Sequence, residues 1–176
     1  MRAVVVYESM YGNTHLVAEA IADGLRSGAD ATVLAVHDAD AAALTDVDLV
    51  VVGGPTHVHG MSRASTRKSA VETAEKPRAT LEVEPDAEGD GLREWFDSMA
   101  SLPRLAGAFD TRMHGPAVVT GRASKGIAKR LRAHGSELLV EPQSFLVTKE
   151  NHLDEDELQH ARRWGASLLA SASAAT

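Results

Sequence analysis

A chain of 176 residues with a hydrophobic fraction of 44% is sized for one domain with a real core, burying about 70% of its unfolded surface on folding. The absence of cysteine excludes disulfides, thiolate metal sites and cysteine nucleophiles, and a formal net charge of −7 argues against general nucleic-acid binding. With three Phe, two Trp and two Tyr, the core must be built from Val, Leu and Ala. The N-terminus enters a strand almost at once, with no signal-peptide pattern, and no apolar run approaches membrane-spanning length. A soluble, cytoplasmic protein without membrane insertion is expected.

The first element is Ala3-Val4-Val5-Val6, an apolar β-branched run of the kind covered on both faces in a parallel sheet. Tyr7 to Thr14, Y-E-S-M-Y-G-N-T, is a polar loop, and behind it Val17, Ile21 and Leu25 give a helix one apolar stripe, with Gly28 suited to a left-handed C-cap. Ala31 to Val36 is a second strand, followed by an Ala- and Asp-rich turn over Asp38 to Leu44. Leu49 to Val52 is a third strand, which Gly53-Gly54-Pro55 is expected to stop. Gly60 to Lys76 reads as a loop and a helix carrying Arg63, Arg67 and Lys68.

From Pro77 to Pro103 the pattern loosens into an acidic insertion, with Glu82, Glu84, Asp86, Glu88, Asp90, Glu94 and Asp97 set against Arg93. Leu92, Trp95, Phe96 and Met99 fall at helical spacing at its end. A solvated peripheral excursion is the expectation for such a charge run; the alternative is a lid that brings Trp95 and Phe96 beside a bound ligand. Gly107 to Asp110 is the fourth strand, and Asp110 to Gly121 a long loop with an extended piece at Ala117-Val118-Val119. A helix opens at Ser124, with Ile127 and Leu131 inward and Gly135 closing it. Its cations Arg122, Lys125, Lys129, Arg130 and Arg132 read as a solvated face. The fifth strand lies within Glu137 to Val147 and is interrupted at Glu141-Pro142, since proline cannot donate a ladder hydrogen bond. A last helix starts at Asp154 with Glu157 in an approximate capping box, and its tail after Leu169 should fray.

Strands alternating with helices imply parallel βαβ units and a doubly wound α/β sheet of five parallel strands, order 2-1-3-4-5, in which ligands sit beyond the strand C-termini where the order reverses. Two loops converge there. Ser9 to Thr14 offers hydroxyls, a carboxamide and the N–H groups of a helix N-terminus, an anion site without Lys or Arg that suits one terminal phosphate monoester. Pro55 to Gly60, P-T-H-V-H-G, carries groups able to lie along a flat heterocycle. The ordinary reading of the first loop alone is an N-cap turn.

With a third loop after strand four, these motifs resemble the flavodoxin-like FMN-binding family over nearly the whole chain, excepting the Pro77–Pro103 insertion and the tail. Flavodoxin is itself a standard illustration of this strand order. S-M-Y-G-N-T is similar to the family's hydroxyl-rich phosphate loop, G-G-P-T-H-V-H-G to the loop packed on the isoalloxazine ring, and A-F-D-T-R stands at the third flavin loop. The resemblance implies FMN as cofactor, with Ser9, Met10, Tyr11, Gly12, Asn13 and Thr14 on the phosphate. It places Pro55, Thr56, His57, Val58, His59 and Gly60, with Asp110, Thr111 and Arg112, around the ring. The chain departs from the family in having two histidines in the second loop where flavodoxins usually carry a Trp, and no aromatic but His114 in the third. His57-x-His59 could serve a metal only if the segment were extended and an acidic ligand joined it, so no metal is expected.

Receiver domains need an aspartate where Gly53-Gly54 stands, low-molecular-weight phosphatases need a cysteine, and P-loop NTPases need G-K-[ST] where this chain has Gly12-Asn13-Thr14. The expected function is redox: an electron carrier docking with a redox partner protein or small-molecule acceptor. The alternatives are a small FMN-dependent oxidoreductase acting on a quinone or porphyrinogen-type substrate, and a flavin-free interaction module.

Overall fold

The computed structural model describes residues 1–76, 81–85, 87–148, 150–153 and 155–175. Its parallel sheet is built from β1 (Arg2–Tyr7), β2 (Asp30–Ala35), β3 (Leu49–His57), β5 (Leu105–Met113), β6 (Glu137–Leu138) and β7 (Gln143–Val147), in the order β2-β1-β3-β5, with the last position shared by β6 and β7. β6 pairs with Leu105 and Ala106, and β7 with Phe109 to Met113. The two short strands are the expected fifth strand, divided by a segment that includes Glu141-Pro142. A two-residue strand, β4 (Gly60–Met61), folds back antiparallel on the end of β3.

The apolar runs are continuous because both faces are covered. Ala3 and Val5 point into a core shared with α1 (Asn13–Leu25) and α6 (Glu155–Ala174), while Val4 and Val6 point into a second core on the opposite face. That second core is made with α5 (Ala123–Ala133), through Ile127 and Leu131, and with α3 (Leu92–Ser98). Leu92, Trp95, Phe96 and Met99 are all buried in it, and the Trp95 indole N–H donates to Ala39 O. The described part of the acidic stretch is therefore no solvated excursion: its helix forms part of a core layer. Nor is it a lid, because Trp95 and Phe96 lie in that core. The start of the stretch, at Pro77, and Asp86 lie outside the described residues.

β3 does not stop at Gly53. It runs through Gly53-Gly54-Pro55 to His57, paired with β5 as far as Pro55↔Thr111. The glycines serve close approach rather than a turn. A Cβ on Gly53 would lie 2.2 Å from the Phe109 ring, and one on Gly54 2.8 Å from Leu92.

Smaller departures have equally local causes. Ala117 to Thr120 form a single helical turn, α4, instead of an extended piece, with Val119, Thr120 and Gly121 N–H groups bonded back to Pro116 and Ala117. β5 reaches Met113, which shortens the loop after it. Helix α1 ends at Arg26 in right-handed geometry, and Gly28 lies against Leu169 instead of forming a left-handed cap. α6 continues past Leu169 to Ala174 because Ala172 is buried in the first core. The capping box expected at Asp154 lies outside the described residues. No helix among the described residues is long and apolar enough to cross a membrane.

Candidate functional site

Beyond the C-terminal ends of β1, β3 and β5 lies a cleft of about 310 Å³. Its wall brings together Ser9, Met10, Tyr11, Asn13 and Thr14 from the first loop, Pro55, Thr56, His57 and Val58 from the second, and Thr111 and Arg112 from the third. Its volume falls at the lower edge of the range for small-molecule sites, and its place is the switch point of the sheet.

The first loop is shaped by Gly12, the residue before α1, whose φ of +88° is left-handed. That turn lets the Ser9 hydroxyl accept the Gly12 N–H at 3.0 Å. No side chain caps α1 and no acidic residue occupies its first turn, so the positive end of the helix faces the cleft without an internal counter-charge from the helix itself. Thr14, on the first turn, shares a 2.8 Å hydroxyl hydrogen bond with Thr111 of β5, and the Asn13 side-chain amide donates to both Asn151 O and Oδ1. Met10 and Tyr11 anchor the loop from behind. Met10 packs with Ala70 and Ala87, and the Tyr11 hydroxyl donates to Ala70 O.

The second loop is a hairpin rather than an extended segment. Thr56 and His57 pair with Met61 and Gly60, leaving Val58 and His59 as the two turn residues, with φ of 44° and 72°. Both central residues of a two-residue type I′ turn need positive φ, which Asn and Gly tolerate and a β-branched valine does not. His59 also bridges to Gly121, where a Cβ would strike the His59 backbone. The turn takes His57 and His59 out of the shared orientation an extended strand would give them, and neither His59 nor Gly60 lines the cleft. Among the described residues no group of three or more His, Asp or Glu could hold a metal ion. Burial lowers the His57 pKa below its ordinary value; nearby Glu8 opposes the shift and Arg67 adds to it. The shift favours the neutral imidazole.

In the third loop Thr111 and Arg112 reach the cleft, but Asp110 does not. Asp110 is fully buried, and its Oδ2 accepts the Ser124 N–H at 2.7 Å, while Thr56 Oγ1 accepts the Ala123 N–H at 2.9 Å. Two of the expected ring contacts are thus caps for α5, and only Thr56 also lines the cleft. Arg122, at the head of the basic run, is tied to Ser144 Oγ and Pro142 O.

Met113, Val147 and Asn151 line the cleft without having been anticipated. The available signal was topological: the ends of β5 and β7, and the residues just after β7, emerge at the same end of the sheet as the first loop.

The donor set fits an anionic, phosphate-bearing ligand. Each threonine hydroxyl carries one hydrogen, so in the Thr14–Thr111 pair one hydrogen is spent internally and the other is left to donate outward. Arg112, on the same wall, has a buried Nε with no partner, while its Nη1 donates to Gly115 O and Thr120 Oγ1. An uncapped helix N-terminus and a spare hydroxyl hydrogen stand at one cleft, with the Arg112 guanidinium in its wall.

Comparison with known proteins agrees with this architecture. Residues 5–91 match the family model described as Flavodoxin. No curated protein sequence matches the chain. Among solved structures, a flavodoxin from the domain Archaea superposes with a TM-score of 0.65 at 21% identity, over 98% of this chain and 99% of that one. Oxidised flavodoxin 1 from Bacillus cereus gives 0.65 at 18% identity, over 97% and 98%. A flavodoxin, WrbA-like protein from Agrobacterium tumefaciens gives 0.61 at 23% identity, over 99% of both chains.

Proposed function

We propose that the chain is an FMN-binding redox protein of flavodoxin-like fold and acts as an electron carrier, holding FMN in the cleft at the ends of β1, β3 and β5; the match of residues 5–91 to the flavodoxin model and the lining of that cleft support this reading. Bound FMN supplies the electron-transfer chemistry; the protein's part is to hold it, orient it and limit its contact with water. In this reading the N-terminus of α1, with Ser9, Asn13 and Thr14, carries the phosphate. Thr111 reaches the same region through its bond to Thr14, and the backbone and side chains of Pro55 to Val58 flank the ring. Arg112 adds positive charge to the wall, its guanidinium held by Gly115 O and Thr120 Oγ1. His57 presents a polar edge, its pKa shift favouring the neutral form.

The observation that carries the carrier reading is the rim. Val58 is 81% exposed and Val118 94% exposed, with Val119 and Met113 also open, so the mouth of the cleft offers apolar surface to a docking partner. The chain's formal net charge of −7 favours a basic redox partner and fast, salt-dependent encounter. Among the described residues of the acidic stretch, Trp95 and Phe96 lie in the core and not over the cleft, which weighs against a closed substrate pocket. A cytoplasmic location goes with this reading. The test is to photoreduce the FMN-loaded protein and mix it with a basic redox protein such as cytochrome c at low and high salt. A carrier gives rapid, salt-sensitive reoxidation and no steady NAD(P)H–quinone turnover. Steady turnover by the pure protein would favour the oxidoreductase reading instead.

A further inference from the structure

The turn after β7 brings Asn151 to the cleft wall, from outside the three loops that carry the expected contacts. Its backbone is fixed. The Asn151 N–H donates to Thr148 O at 3.1 Å, the Thr148 N–H donates to His152 O at 2.9 Å, and the φ of 62° is left-handed, a geometry that asparagine accepts. The Asn13 side chain lies against this turn, its Nδ2 at 3.0 Å from Asn151 O and 2.8 Å from Asn151 Oδ1. A backbone carbonyl only accepts, so the Asn13 atom facing it must be the amide nitrogen. That nitrogen only donates, so the Asn151 side-chain atom facing it must be the oxygen. Chemistry thus orients both carboxamides.

The two acceptors match the two hydrogens of the Asn13 NH2, which leaves that side chain an oxygen and no N–H for an anion. Asn151 is the complement. Its oxygen is engaged, while its NH2 makes no hydrogen bond among the described residues; the residue is half-buried and the amide nitrogen is open to solvent. Two free amide hydrogens on the cleft wall, beside the first turn of α1, suit a phosphate oxygen. We infer that Asn151 is a phosphate-binding residue of the cleft, its Nδ2 donating to the ligand. The Asn13 side chain is then a positioning residue that holds the Asn151 oxygen and so presents its NH2, while Asn13 itself meets the anion through its backbone N–H. The inference deepens the phosphate reading of the cleft and rests on it.

The test titrates isotopically labelled apoprotein with FMN and, separately, with riboflavin, and follows the side-chain NH2 resonances. FMN should shift the Asn151 NH2 pair saturably, and riboflavin should not. In Asn151→Gly, which keeps the left-handed backbone, FMN affinity should fall about tenfold or more. In Asn151→Asp one carboxylate oxygen still accepts from Asn13 while the other replaces the donor, so FMN affinity should fall further. A purely structural role predicts instead that the Asp variant binds FMN like the original protein. Unmoved Asn151 resonances, undiminished FMN affinity in Asn151→Gly, or an Asp variant that binds as well as the original would each overturn the proposal. If FMN and riboflavin bind alike, the phosphate reading has failed and the inference falls with it; selective FMN binding with a silent Asn151 defeats the inference alone. If the variants fail to fold, the resonance comparison on the unaltered protein decides.

Discussion

The hydroxyls of Thr14 and Thr111 meet at 2.8 Å although the residues lie on α1 and β5, on opposite sides of β3 and its second loop in the chain. Both are buried, so the bond fixes the first turn of α1 against the sheet and leaves one hydroxyl hydrogen for a ligand. Thr14→Ala should remove a hydrogen bond to a charged phosphate, costing about 1.5–3 kcal/mol, or roughly ten- to a hundredfold in FMN affinity. Riboflavin, which has no phosphate, should bind the variant as it binds the original protein. Fluorescence titration of both ligands measures this, and an equal loss for the two would point to a misfolded loop instead.

Helix α3 should be indispensable to folding. Phe96 is fully buried in the core formed with Ile127 and Leu131, and Phe96→Ala should cost about 3–5 kcal/mol in urea denaturation. Replacing residues 77–103 by a Gly/Ser linker should abolish cooperative unfolding. A variant that melted like the parent would mean the helix packs only loosely.

The turn at Val58 and His59 stores strain. Valine at a φ of 44° costs on the order of 1–3 kcal/mol, and asparagine accepts that geometry. Val58→Asn should therefore raise stability by about 1 kcal/mol in the same denaturation assay. A loss of stability would show that the valine side chain is held by contacts outweighing its backbone.

His57 should make stability fall in acid. Its folded-state pKa lies below the ordinary 6.5, so the unfolded chain takes up the proton first. Stability is then undiminished by this group above pH 6.5 and declines as pH drops from 6.5 through the folded pKa. His57→Phe should flatten that part of the profile, against a background from the carboxylates common to both proteins. An unchanged slope would mean His57 titrates alike in both states.

Much of this was readable from local pattern. Val4 to Val6 and Val50 to Val52 announce strands covered on both faces, and the hydroxyl-rich loop followed by the stripe Val17, Ile21, Leu25 announces the strand, loop and helix that wall the cleft. What escaped depends on partners distant in sequence. Gly53 looks like a strand breaker until the Phe109 ring occupies the space its Cβ would need. Asp110 looks like a ring contact until the Ser124 N–H is found on its carboxylate. Asn151 could not be paired with Asn13 from spacing alone. In the acidic stretch, the charges around α3 masked a helical spacing that was present in Leu92, Trp95, Phe96 and Met99. The hairpin at Val58 and His59 was hidden because neither residue carries the usual Asn-Gly signature.

The most direct measurement on the central claim is equilibrium titration of the purified apoprotein with FMN and riboflavin under one set of conditions. A cleft built around an uncapped helix N-terminus and the Thr14 hydroxyl predicts saturable FMN binding and far weaker riboflavin binding. Equal affinities, or no binding of either flavin, would contradict it.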